Sequence, residues 1–440
     1  MSGGMPAFRG VSPSGELRVD HGGAIAVDTE QLREIGRRIA AVAGSYRTAR
    51  ECLGRASALI ASEPAACPQI NVGALRRSRD RLGELGDELE NAATGTLVMA
   101  DAYEVVELRA RAEALALTDA VAAADAHARL ERLLFRDERV GTMADRLVAG
   151  WEERRFDGLG DQYDLAGLLP PLFLSGALIG LGTGLGKVLP GRPLQGAGDP
   201  VRVTAVATST PARGPKSLSG ALGRMPSGRA QVAVEMYTMP GGASRYVAYV
   251  KGTQESAPWR AGGSEPWDMK SNTELYQGRR SASYRATLDA LAAAGVHAGD
   301  RVDVVAHSQG GMIAARLAME GDVDVAMQIT AGSPQEPTLT DHQTLIQLRH
   351  SDDVVSALAA GGSAEGTGSP DSFTASRVGD PHDGFQDLTL QTHGLESYRE
   401  TAELVDASDD PRAEALDEYW AELADAVRVE RTEFRAERTP

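Results

Sequence analysis

At 440 residues the chain is too long for one ordinary core, and 42% hydrophobic with 24% charged residues describe a soluble globular protein of two or three domains. A formal net charge of −17 argues against a nucleic-acid partner and against simple attraction to anionic lipid. Only two cysteines occur, with no C-x-x-C or H-E-x-x-H spacing, so no metal site is suggested.

Residues 1–23 are rich in glycine and serine and lack an apolar core of signal-peptide type, so they read as a disordered tail. The expected location is therefore the cytoplasm, or outside it by a route that uses no Sec signal. Asp28 starts a helix, with Gln31 as its capping-box partner. Leu32, Ile35, Ile39, Val42, Tyr46, Ala49, Leu53, Ala56 and Ile60 follow at three- and four-residue spacing, a heptad seam that predicts a facing helix. This helix should stop near Glu63-Pro64. Asn71 caps a second long helix with the same spacing from Leu75 to Val106. A third helical stretch is expected over 118–155, with Val121, Leu130, Leu134, Met143 and Leu147 on its apolar side. Residues 24–156 thus read as an all-α hairpin or bundle. Cys52 and Cys67 fall near a helix end and the next loop, where they either pair across the turn or stay free thiols.

This region resembles the helical-hairpin proteins of actinobacterial type VII secretion. The matching features are Ile25-Ala26-Val27-Asp28, the two long helices, and Tyr103-Glu104-Val105-Val106-Glu107, which fits the Tyr-x-x-x-Asp/Glu export signal. The interhelical loop departs from that family, because Cys67 to Gly73 contains no Trp-x-Gly. The resemblance implies export by that route, or a helical protein partner for residues 24–156.

Residues 165–186 carry no charge. Pro170-Pro171 and repeated glycines argue against a spanning helix, leaving a packed or lid-like connector or an interfacial contact with a membrane surface. Residues 157–228 as a whole read as connector and linker, with a strand at 201–206. Strands follow at 231–238 and 245–250, a helix at 282–294, and strands at 323–330 and 345–348. This alternation predicts a mostly parallel α/β sheet over 229–403. Residues 404–440 read as an acidic helix that frays after Arg428.

The sheet region is organised around Val302-Asp303-Val304-Val305-Ala306-His307-Ser308-Gln309-Gly310-Gly311. An apolar strand runs into a helix, and Ser308 stands between the small residues Ala306 and Gly310. A sharp strand-to-helix turn needs that arrangement, because backbones approach closely on both sides. It resembles the Gly-His-Ser-Gln-Gly-Gly nucleophile elbow of the α/β-hydrolase superfamily of esterases and lipases, with Ala306 for the first glycine. The resemblance implies a Ser–Asp–His order along the chain. His350-Ser351-Asp352-Asp353-Val354 resembles the segment that carries the triad acid, here Asp352, with Asp353 as the alternative. His393-Gly394-Leu395-Glu396-Ser397-Tyr398 resembles the histidine that opens the last helix, with His382 as the alternative base. The oxyanion donors are the Gln309 N–H and, after Gly252, the N–H of Thr253, with Gln254 as the alternative.

The chemistry implied is hydrolysis of an acyl ester or lipid through an acyl-enzyme, without metal or cofactor. The same array serves a thioesterase, acyltransferase or amidase. A type VII-exported effector lipase and a non-catalytic interaction protein are the readings from other classes.

Overall fold

The structure, a computed structural model, describes residues 17–20, 29–63, 71–116, 120–159, 182–363, 366–382, 387–408 and 410–439. It divides into a helical unit, Ala26–Ala149, and an α/β unit formed by Met1–Ile25 and Gly150–Pro440.

In the helical unit, α1 (Thr29–Ser62) and α2 (Val72–Ala116) are the long helices that the heptad spacing predicts. Asn71 caps α2, its Oδ1 accepting the Ala74 N–H at 2.9 Å. The seam is rotated from the expected one at two of its positions. Gly36 and Ala43 are buried, whereas Ile35 and Val42 are 44% and 48% exposed. The reason is close approach: a Cβ at Gly36 would lie 2.9 Å from Leu97 Cδ2, so small residues take the contact and their larger neighbours move to the flank. The third stretch is broken into α3 (Ala120–Arg136) and α4 (Glu138–Arg154). Asp137 caps the second of these, its Oδ1 accepting the Arg139 N–H at 2.9 Å. Val121, expected inside, is exposed, and Leu133 is buried instead. Tyr103 of the Tyr-x-x-x-Glu pattern is buried within α2. Cys52 is exposed, and Cys67 lies outside the described residues.

Charge is buried here too. Arg33 pairs with Asp101 (2.7 Å) and Glu104, Arg136 reaches Asp101 (3.2 Å), and Arg129 reaches Glu104.

The α/β unit is built on a nine-stranded sheet of order β1-β10-β9-β7-β6-β5-β4-β11-β3. Its strands are β1 (Arg18–Asp20), β3 (Val201–Ser209), β4 (Val232–Thr238), β5 (Ser244–Val250), β6 (Val302–His307), β7 (Met327–Ala331), β9 (Thr344–His350), β10 (Phe373–Arg377) and β11 (Arg428–Arg438); β2 (Lys187–Val188) and β8 (Glu336–Pro337) pair separately. The block β10-β9-β7-β6-β5 is parallel, and β1, β4, β11 and β3 are antiparallel to their neighbours. Side chains alternate across it. On one face Tyr246, Ala248 and Val250 meet Trp267, α6 (Met269–Tyr276), α7 (Ala282–Ala293) and α8 (Gln309–Glu320). On the other, Val247 and Tyr249 meet the short helix α5 (Leu218–Leu222), α9 (Leu395–Asp406) and α10 (Pro411–Ala424). The expected α/β architecture behind a helical region is therefore observed.

Three organisational expectations are corrected. Within the expected tail, Arg18–Asp20 is an edge strand on β10, and Leu17 and Val19 pack on the core. The expected linker holds, besides its expected strand (β3), the elements β2 and α5, and Leu218, Ala221 and Leu222 of α5 are fully buried. Its glycines and prolines serve turns between short elements. The expected frayed helix after Arg428 is β11, an interior strand between β4 and β3. Val429, Phe434 and Ala436 point into the cores, and a register shift between Glu433 and Phe434 interrupts the two-residue period that would have marked it. Of the uncharged run, residues 165–181 lie outside the described residues. Among the described residues no helix is long and apolar enough to cross a membrane.

Candidate active site

The site forms where parallel strands end, at the carboxyl edge of the sheet, the usual place for a ligand in an α/β fold. β6 ends at His307, and Ser308 stands alone between it and α8 with φ 54° and ψ −120°. A non-glycine residue there is strained, and strain of this kind is held only where the surroundings enforce it. Here they do. The Ser308 N–H donates to Ala331 O at 2.9 Å, and the Gly311 N–H donates to Ser308 O at 2.8 Å. Gly310 permits the turn, because a Cβ there would lie 2.3 Å from Val250 O. The small residue expected after the serine thus has a specific cause: α8 starts against the end of β5.

His393 ends a single 3₁₀ turn just before α9. Its Nε2 is 2.7 Å from Ser308 Oγ, and its Nδ1 is 2.7 Å from Asp353 Oδ2. Asp353, fully buried, also accepts from Tyr398 Oη (2.7 Å) and from the Val355 N–H (2.9 Å). Burial pulls its carboxyl upward, but His393 and the donated hydrogen bonds outweigh this and hold it below the usual range.

The aspartate that meets His393 is therefore Asp353, the alternative, and the expected pairing with Asp352 is corrected. Asp352 faces the other way, accepting the N–H groups of Gly379 (2.7 Å) and Asp380 (2.9 Å). Burial, opposed by those amides, pushes its carboxyl up to about 6. His382, the alternative base, is exposed and lies 3.6 Å from Asp380.

The segments that carry the expected oxyanion donors both lie against Ser308. The Gln309 N–H is at the first turn of α8, where helix geometry leaves it without an intrahelical acceptor. The loop after β5 reaches the same place: a Cβ at Gly252 would lie 2.8 Å from Ser308 Cβ. Thr253 follows, its Oγ1 accepting from Asn272 Nδ2 at 2.8 Å. The alternative, Gln254, is removed, because its N–H donates to Trp267 O at 2.7 Å. Trp267 Nε1 donates back to Lys251 O at 3.1 Å, so the loop is pinned at both ends. The Gln309 side chain ties in as well, its Nε2 donating to Asp268 O at 3.1 Å.

Two further histidines, to which the sequence assigns no role, belong to this site. His307 Nε2–H donates to His393 O at 2.9 Å, and His350 Nδ1–H donates to Thr392 O at 2.7 Å. Each strand that brings in a partner of His393 thus also ends in a histidine holding the backbone beside it. Burial keeps both rings neutral, lowering His307 to about 3 and His350 to about 4. No local sequence signal marks them, because their acceptors lie 86 and 42 residues away.

The array can do one thing well. A hydroxyl faces an imidazole whose far nitrogen is fixed by a buried carboxylate, so its proton has a place to go as oxygen attacks. Among the described residues no group of histidines, cysteines and acids is placed to hold a metal ion. Compared with models of known families, with curated proteins and with solved structures, the chain matches none.

Proposed function

We propose that the α/β unit is a serine ester hydrolase of the α/β-hydrolase type, acting through an acyl-enzyme. One observation carries the reading: Ser308 is held at φ 54° on a strand-to-helix turn, in line with His393 and Asp353 through two 2.7 Å contacts. A serine that only capped a helix would need neither the strain nor the buried acid behind the imidazole.

In this mechanism Ser308 Oγ attacks an acyl carbonyl carbon while His393 Nε2 takes its proton. Asp353 fixes the Nδ1–H tautomer and stabilises the imidazolium. The N–H groups of Gln309 and Thr253 receive the oxyanion. His393 then protonates the leaving alkoxide, and water attacking the acyl-enzyme through the same base releases the acid. A thioester or an acyl acceptor other than water fits the same steps, so the substrate panel must include them.

The test is labelling of the full chain with a fluorophosphonate probe, with the adduct mapped by mass spectrometry, followed by turnover of esters and thioesters of graded chain length. The expected adduct is on Ser308. No adduct there, together with no turnover of any acyl substrate, would reject the proposal.

A further inference from the structure

Tyr398 is fully buried on α9, and its hydroxyl has more to do than packing requires, since phenylalanine would fill the same space. It donates to Asp353 Oδ2, the oxygen that also takes His393 Nδ1–H, both at 2.7 Å. The same hydroxyl accepts the His350 N–H at 3.2 Å. The His350 ring lies flat on the phenol ring, centroids 4.0 Å apart and planes within 3°. That imidazole is fixed in turn, between Thr392 O and Thr401 Oγ1, each at 2.7 Å. The phenol therefore has one position, and from it shares the oxygen that serves the base.

Sharing has a chemical consequence. A carboxylate oxygen that accepts a second strong donor has less charge left to stabilise an imidazolium. We infer that Tyr398, held in place by His350, is a positioning residue that fixes the Asp353 carboxylate and lowers the proton affinity of His393. The inference rests on the reading of Ser308 and His393 as nucleophile and base. A free base is what the first step needs, so the device extends activity toward lower pH.

Among the described residues, the titratable and charged groups that act on the pair or on its neighbouring rings include His307 on β6, His350 on β9, Asp352 in the turn after it, and Arg377 on β10. Both histidines are buried and neutral. Asp352 titrates in the same window as a histidine, so each variant is also made in an Asp352→Asn background.

The experiment follows the titration of His393 in the full chain, by NMR of ¹³C-labelled histidine and by the acid limb of kcat/KM on a small soluble ester. Tyr398→Phe removes the competing donor, and both should move to higher pH by about half to one unit, with kcat down about 3- to 30-fold and KM within about twofold. A 3-fluorotyrosine at position 398 keeps the shape and is a stronger donor, so it should move both to lower pH. Opposite signs are the signature, since a purely structural role would lower the melting temperature and leave the titration in place. An unmoved titration, or movement of the same sign in both variants, overturns the inference even where Ser308 is labelled and active. A wild type that is neither labelled at Ser308 nor active overturns the functional reading, and this inference with it.

Discussion

The helical unit and the Ser308–His393 corner of the α/β unit both bury charge, and they use it in opposite ways. In the helical unit Asp101 and Glu104 are each met by two arginines, Arg33 shared between them, so both carboxylates are fully paired and the group displays no reactive atom. Among the described residues of the α/β unit, no arginine or lysine pairs with Asp353. Its two oxygens are taken by a histidine, a phenol and a backbone amide, and the histidine leads on to a strained hydroxyl. A buried carboxylate paired with guanidinium is a fixed strut; one paired with imidazole is a group whose partner can gain and lose a proton near neutral pH.

The largest break in this comparison comes from the hydroxyl. Ser308→Ala should lower ester turnover by about 10⁴- to 10⁶-fold, the scale of losing a triad nucleophile, and leave the circular dichroism spectrum unchanged. Turnover close to wild type in this variant would mean that the strained residue is not the nucleophile. Next comes the acid. Asp353→Asn should cost about 10²- to 10⁴-fold in kcat, because the amide offers a donor where His393 Nδ1–H needs an acceptor. Asp352→Asn, whose side chain ties the Gly379 and Asp380 amides and does not meet His393, should stay within about tenfold. A reversed ranking in steady-state kinetics would put the imidazole on the wrong aspartate.

That one-residue ambiguity marks the limit of what the sequence could say. Ser308 and His393 were legible because each sits in a local pattern, a strand-to-helix turn and a helix opening. The acid was not, because Asp352 and Asp353 are adjacent and identical, and which one faces His393 depends on how the chain turns after His350. Thr253 was separable from Gln254 only by the contact that Gln254 makes with Trp267, thirteen residues on in the chain and invisible to local pattern. The parallel strands were readable as apolar runs because both their faces are covered. β11 was not, since its charged face is satisfied by neighbours: Arg431 reaches Glu235 on β4 at 3.1 Å and Glu433 on its own strand at 2.7 Å. In the helical unit the period was correct, but a helix contact close enough for Gly36 and Ala43 reads as a gap in a hydrophobic pattern, and the eye moves to Ile35 and Val42.

The strut in the helical unit is tested by removing its shared cation. Arg33→Leu leaves Asp101 and Glu104 buried with one largely exposed arginine each, and should destabilise the helical unit by about 2–4 kcal/mol. Urea unfolding followed by circular dichroism measures this. Ester turnover at temperatures where the variant stays folded should be unchanged, and a parallel loss of turnover would show that this cluster does more than hold helices together.

The smallest expected effect is a pH dependence, and it separates the two neighbouring aspartates without any substrate. Asp352 is raised from an ordinary 3.8 to about 6, chiefly by burial, whereas Asp353 is held below the ordinary range. The signs are opposite. For Asp353 the folded state binds its proton less tightly than the unfolded chain, so its contribution is present above the ordinary carboxylate range and is lost as pH falls through its lowered value. For Asp352 the folded state binds the proton more tightly, so its contribution is complete below about 4 and is lost as pH rises through 6. Two pH units correspond to ~3 kcal/mol at most, and losing one acceptor oxygen in Asp352→Asn reduces the visible gain to about 1–2 kcal/mol. Between pH 4 and 7.5 the melting temperature of the wild-type α/β unit should therefore fall relative to that of Asp352→Asn, by a few degrees at the upper end. Parallel melting curves across that range would mean that the Gly379 and Asp380 amides offset the burial of Asp352 completely. A variant that instead loses ground as pH rises would mean that the carboxylate is stabilised where it sits, as Asp353 is, and that burial is not what sets the difference between them.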